Sequence, residues 1–156
     1  MNEDQIKKDE FFMRKALVEA RLAAEANEIP IGAVIVCNDR IISRAHNLTE
    51  TLHDVTAHAE MQAITSAADM LGGKYLCDCT LYVTVEPCTM CVGALVHARI
   101  KHVVFGIHDF SKAMAYKITP QGWIDELETF FNMLTMEARI KGKGVIGGVE
   151  VMLTPH

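Results

Sequence analysis

The chain has 156 residues and a mass of 17.3 kDa, with half of its residues hydrophobic and 22% charged, which suits one domain with a sizeable core and excludes a disordered or fibrous protein. Its net charge of −5 excludes attraction to nucleic acid by the molecule as a whole, so any RNA contact needs a local basic patch. No apolar run is long enough to span a bilayer, the first ten residues lack the apolar core of a signal peptide, and five cysteines fit a reducing cytoplasm better than a disulfide framework.

Residues 4–27 read as an amphipathic helix, with Met13, Leu17, Ala20 and Ala24 at helical spacing and Asn27 and Pro30 as stop signals. Ile31 to Cys37 and Arg40 to Ala45 are β-branched runs separated by Asn38-Asp39, a hairpin-type turn. Asn47 to Val55 is a polar loop, and Thr56 is the expected N-cap of the next helix. That helix carries Met61, Ile64, Ala68 and Leu71 on one side and stops at Gly72-Gly73. Thr80 to Val85 is a strand running into a helix that Pro87 opens and that continues through Leu95 to Ala98. Lys101 to Gly106 is the following strand, and this strand–helix–strand unit implies a parallel pairing. Pattern is lost from Phe110 to Pro120. A helix with Ile124, Leu127, Phe131 and Leu134 in register follows, then a last strand over Val145 to Leu153, interrupted at Gly147-Gly148. With no repeat or internal linker, residues 1–156 form a single α/β domain.

Two short stretches carry the chemistry. Thr-Ala-His-Ala-Glu at 56–60 and Glu-Pro-Cys-Thr-Met-Cys at 86–91 together read H-x-E … P-C-x-x-C. His58, Cys88 and Cys91 supply one imidazole and two thiolates, a donor set that suits zinc. Cys88 and Cys91 are three apart and share one face of a helix, whereas His58 and Glu60, two apart, reach one pocket only if it lies off the helix N-terminus. Three protein ligands leave a fourth position for water, the mark of a catalytic rather than a structural site. Glu60 is then the carboxylate that moves protons.

The signature is that of zinc deaminases, and the sequence resembles the cytidine deaminase superfamily, within it the bacterial tRNA adenosine deaminases. The resemblance covers roughly residues 10–109, through Glu-Ile-Pro-Ile-Gly-Ala-Val-Ile-Val at 28–36, His46-Asn47, Asp54 to Glu60, Leu81 to Cys91, Gly93 to Ile100 and Val103 to Gly106. It implies a three-layer α/β/α sandwich with a central mixed five-stranded sheet, a homodimer, and zinc-dependent hydrolysis of adenosine to inosine at the wobble position of a tRNA anticodon loop. It implies that His58, Cys88 and Cys91 hold the zinc and Glu60 shuttles the proton. Asn47 matches a base-contacting asparagine and Asp109 an acidic residue beside the RNA backbone. After 109 the text departs: Phe-Ser-Lys-Ala-Met-Ala-Tyr replaces a Gly-Ala step, Tyr116 to Thr129 looks inserted, and a basic C-terminal helix has no counterpart after Leu153.

That departure keeps a second reading open, a deaminase of a free base or nucleoside such as guanine, cytosine or cytidine. A third, a zinc-containing binding module without turnover, sits badly with an intact Glu60. Several residues stay two-sided at this level. Asn47 is either a base contact or a turn-former. Cys77 and Cys79 are a fourth ligand, a redox couple or packing residues. Arg99, Lys101, His102 and Lys112 form either a basic rim or a scattered solvated face. The apolar step Val92 to Val96 packs either on a partner or on the chain's own sheet.

Overall fold

Helix α1 (Glu3–Glu25) ends on an asparagine rather than a glycine. Asn27 takes the left-handed conformation at φ 59°. The N–H of Glu28 bonds Ala23 O at 2.9 Å and that of Asn27 bonds Ala24 O at 3.1 Å, the paired bonds of a Schellman ending. Strands β1 (Gly32–Cys37) and β2 (Arg40–His46) form an antiparallel hairpin across Asn38 and Asp39, whose φ values of 51° and 63° make a type I′ turn. The register slips between Ile35, opposite Ser43, and Val36, opposite Ile41, so Ile42 bulges from β2.

The computed structural model describes residues 3–107, 143–146 and 149–152. Asp109, Lys112 and the helix expected around Ile124, Leu127, Phe131 and Leu134 lie outside the described residues. Within them follow α2 (Ala59–Leu71), β3 (Cys79–Val85), α3 (Thr89–His97), β4 (His102–Ile107), β5 (Lys143–Ile146) and β6 (Val149–Met152). The strands form one mixed sheet in the order β2-β1-β3-β4-β6-β5. β1 is antiparallel to β3, and β3 and β4 are parallel, as the strand–helix–strand reading requires. β6 joins β4 in parallel and β5 returns antiparallel to β6. The sheet thus has six described strands where five are expected, because the interrupted C-terminal strand is two strands paired with each other.

Alternation along the strands divides the core in two. Val34, Val36, Tyr82 and Val104 meet Phe12, Met13 and Ala16 of α1 on one face. Ala33, Ile35, Leu81, Val83, Val103 and Phe105 meet Ala59, Ala63 and Ala67 of α2 and Leu95 of α3 on the other. The face that α2 buries most deeply is therefore its alanines; of the stripe of Met61, Ile64, Ala68 and Leu71, Ile64 packs half-buried against the same core, while Leu71 is 45% exposed. Alanines let α2 sit close enough for the Ser43 hydroxyl to reach Ala63 O at 2.9 Å. On the opposite face α1 sits closer still, because a Cβ added at Gly32 would lie 2.1 Å from Ala16 O and 2.3 Å from Ala20 N.

Asp9 of α1 is buried at 3% exposure. Its Oδ1 accepts the Tyr82 hydroxyl at 2.5 Å and Gln5 Nε2 at 2.9 Å, while Oδ2 has no hydrogen-bond partner among the described residues. Burial pushes this carboxyl above its ordinary range, against the pull of the Tyr82 and Gln5 bonds and of the positive charges of His102 and Lys8.

Two outcomes follow from this packing. Gly32→Ala forces helix backbone away from strand backbone and should destabilise the protein by about 3 kcal/mol in urea unfolding, the upper end of overpacking costs. A raised carboxyl binds its proton more tightly in the folded state, so its contribution to stability falls as pH climbs from the ordinary carboxyl value of 3.8 through the raised one. Urea midpoints of Asp9→Asn and the parent, compared from pH 4 upward, should therefore diverge in favour of the variant. Parallel pH profiles would show that Asp9 titrates normally.

Candidate metal centre

Strand β3 delivers the chain through Glu86-Pro87 to α3, whose N-cap is Cys88 at φ −72°, ψ 171°. Pro87 therefore stands one position before the cap rather than at the first helical residue. On the neighbouring helix the N-cap is His58, at φ −68°, ψ 155°, and not the expected Thr56. Thr56 is held by its own loop: its N–H and hydroxyl bond Asp54 Oδ1 at 2.8 and 2.7 Å, so it is not available to a helix starting three residues later.

Neither N-cap side chain makes a capping bond to its helix. They turn toward each other instead. His58 Nδ1 lies 3.5 Å from Cys88 Sγ and 3.6 Å from Cys91 Sγ. The three donor atoms all fall within 4.8 Å of one another, the one such group of His, Cys, Asp or Glu donors among the described residues. Zinc–sulfur and zinc–nitrogen bonds of about 2.3 and 2.0–2.1 Å at a tetrahedral angle set the sulfur–nitrogen edge at about 3.6 Å. The two measured separations match that edge, so the donors fit one tetrahedral zinc ion through Nδ1 of His58. Both helix N-termini point at the group, and their partial positive charge favours thiolates there.

Cys91 is buried and Glu60, in the first turn of α2, is 4% exposed. Burial above all, then the neighbouring charges of Glu60 and Cys88 and hydrogen bonds to both, push the Cys91 thiol up. Such a crowd of acids calls for a cation, and a bound divalent ion reverses the balance by deprotonating a coordinating thiol. Glu60 sits beside the donors without belonging to them.

Asn47 is buried at the end of β2, and its N–H bonds Ile31 O at 3.1 Å. It opens the loop that leads to His58, and a bond from Leu48 N–H to Ala57 O at 2.9 Å closes that loop. One end of the bond neighbours Asn47 and the other neighbours His58.

Other candidates fall elsewhere. Cys79 is packed in the core at the start of β3 and Cys77 is exposed beside it, both at the far end of that strand from Cys88. Arg99, Lys101 and His102 do not ring the donors either. Arg99 follows the C-terminus of α3, in the left-handed region at φ 57°, with its guanidinium 4.2 Å from the Tyr75 ring centroid. His102 pairs with Thr80, at the opposite end of the sheet from Val85. His46 contacts Glu19 at 3.3 Å. One residue the motifs leave without a role is Glu28, buried at 1% exposure and bonded to the loop after Asn47. Its only signal in the sequence is an acid set directly before an apolar run.

Comparison with known proteins agrees with this geometry. Residues 6–107 match the model of the cytidine and deoxycytidylate deaminase zinc-binding region. The tRNA-specific adenosine deaminase of Bacillus subtilis is 54% identical over 101 residues, 65% of this chain and 63% of that protein. The chain thus spans less than two thirds of the relative's length. A structure from studies of A-to-I editing by tRNA:A34 deaminases superposes with a TM-score of 0.62 at 52% identity, over 64% of this chain and 76% of the other. A guanine deaminase of Bacillus subtilis superposes with a TM-score of 0.63 at 39% identity, over 74% of this chain and 70% of its own. With its matched region spanning both helix starts that bring His58, Cys88 and Cys91 together, the chain belongs to the cytidine and deoxycytidylate deaminase family, whose cofactor is zinc.

Proposed function

We propose that the protein is a zinc-dependent hydrolase that converts adenosine to inosine at the wobble position of tRNA, with residues 1–156 as one deaminase domain. The observation that carries this reading is the buried Glu60 carboxylate beside the His58, Cys88 and Cys91 donors. Relatives named tRNA-specific adenosine deaminase, at about half identity, support the substrate.

His58, Cys88 and Cys91 would hold the ion, which in sites of this type would lower the pKa of a water to about 7 and supply the nucleophile. Water adds to the ring carbon that bears the amine, and ammonia leaves. Glu60 accepts the proton that water gives up, donates it to the ring nitrogen, and later serves the departing amine. Burial keeps that proton from exchanging freely with solvent. Asn47 contacts the base at the start of the loop; the acidic residue that the resemblance sets beside the RNA backbone, Asp109, lies outside the described residues.

The partners follow from the surface. Within α3, Cys91 and Leu95 are buried, at the donor group and in the core, whereas Met90 and Val96 are 36% and 37% exposed. A Cβ at Gly93 would meet nothing within 4 Å. This outward face suits close packing on a second copy, and we infer a homodimer through it. The two thiols of the donor set suit a reducing cytoplasm. No helix among the described residues is long and apolar enough to cross a membrane.

A second reading, deamination of a free base, has its own support. The guanine deaminase superposes over more of this chain than the tRNA:A34 deaminase does, 74% against 64%.

Metal analysis separates ligand from shuttle. Cys88→Ala should lose zinc and stability together, because metal binding is coupled to folding. Glu60→Gln should keep one zinc per chain and its melting temperature while deamination drops about 10²- to 10⁴-fold. Loss of zinc in Glu60→Gln would assign the carboxylate to the metal. For the substrate, tRNA with a wobble adenosine should yield inosine, with turnover falling as salt rises. Free adenosine, guanine, cytosine and cytidine should remain unchanged under the same conditions. Turnover of a free base with untouched tRNA would transfer the protein to the second reading.

A further inference from the structure

Glu28 takes no part in the chemistry above, yet its carboxylate is fully engaged. Oε1 accepts the Glu50 N–H at 3.0 Å, and Oε2 accepts the Thr51 N–H at 2.8 Å and the Thr51 hydroxyl at 2.6 Å. These bonds reach across more than twenty residues to fix the loop immediately after Thr49. Thr49 in turn holds Asn47. Its N–H and its hydroxyl both bond Asn47 Oδ1, each at 2.8 Å.

The direction of this second pair of bonds is not open to exchange. A backbone N–H can only donate, so the atom facing it is the amide oxygen and not the nitrogen. Two donors occupy both lone pairs of Oδ1. Asn47 keeps Nδ2 as its remaining polar atom, and no hydrogen bond among the described residues uses it. Turning the amide over would set NH₂ against the Thr49 N–H, which can only donate, and leave that part-buried N–H unpaired.

We propose that Glu28 and Thr49 are positioning residues that lock Asn47 as a hydrogen-bond donor, so that the pocket accepts a base presenting an acceptor at that point and rejects one presenting a donor. This rests on the reading of Asn47 as a base contact. Thr49 acts directly on the amide. Glu28 acts one step further back, because loss of its charge frees the Glu50 and Thr51 donors and releases the segment that carries Thr49. A glutamine at 28 cannot replace it, since its single oxygen serves one side and its NH₂ meets a donor on the other.

The test is steady-state kinetics on the zinc-loaded full chain with its tRNA substrate. The variants are Asn47→Ala, Thr49→Val, Thr49→Ser, Glu28→Gln and the double variant Asn47→Ala/Thr49→Val. Thr49→Val should raise KM roughly threefold to tenfold and leave kcat within about twofold. Thr49→Ser, which keeps the hydroxyl, should restore the parent KM. Glu28→Gln should shift KM in the same direction as Thr49→Val. In the Asn47→Ala background Thr49→Val should add nothing, because it acts only through the amide. If Asn47→Ala raises KM but Thr49→Val does not, or if the two effects add, the lock is overturned and the base contact stands. If Asn47→Ala leaves KM unchanged, the base contact itself fails and the lock falls with it. A fall in kcat at constant KM, with zinc or melting temperature lost, marks a folding role and also overturns the lock. Should Glu28→Gln fail to fold, the two Thr49 variants and the double variant still decide.

Discussion

Two helices begin at the donor group, and the residue that would ordinarily cap each one turns away from it. His58 and Cys88 occupy N-cap positions yet make no capping bond, and their side chains meet across the site instead. The rest of the architecture serves that arrangement. Parallel β3 and β4 require the crossover that becomes α3, and β3 ends three residues before Cys88. The alanine face of α2 brings its first turn down onto the sheet beside β2, which puts His58 and Glu60 within reach of α3. Uncapped N–H groups are tolerable at such a place because they face negative donors rather than a lipid or an apolar core.

Local chemistry made much of this legible in the chain. Asn38-Asp39 forms the expected tight turn because both residues tolerate the left-handed region, and Asn27 ends α1 for the same reason. The donors were recognisable because each half of the motif opens a helix. What stayed hidden depends on partners distant in sequence or on competition within a loop. Thr56 looked like a cap, but Asp54, two residues away, claims its hydroxyl. Periodicity weights large side chains, so on α2 it picks out Met61, Ile64 and Leu71, of which Ile64 does pack against the core, and passes over the alanines that are buried deepest. Glu28 is an acid whose donors lie at positions 50 and 51, a pairing no spacing rule suggests. The basic residues 99, 101 and 102 follow the motif closely in sequence but sit at the other end of the helix and strand that carry it.

The loop from 47 to 57 has the character of a preformed wall. Asn47, Thr49, Asp54 and Ala57 are tied to one another, and Glu28 holds the segment from below. Little of it is left to be ordered when a substrate arrives, which lowers the entropic cost of binding. Burial of Glu28 is stabilising only because three donors replace the water its charge gives up.

The bulge in β2 has a bearing on how copies of the chain can meet. Among the described residues β2 is the outermost strand on its side of the sheet, and an open edge is a template for another strand. Here that edge is broken at Ile42, and it displays Arg40 and Arg44 to solvent. A kinked, positively charged border repels an identical one and offers no continuous ladder. Both features oppose sheet-to-sheet growth, the usual route from a crowded solution to fibrils, along this border.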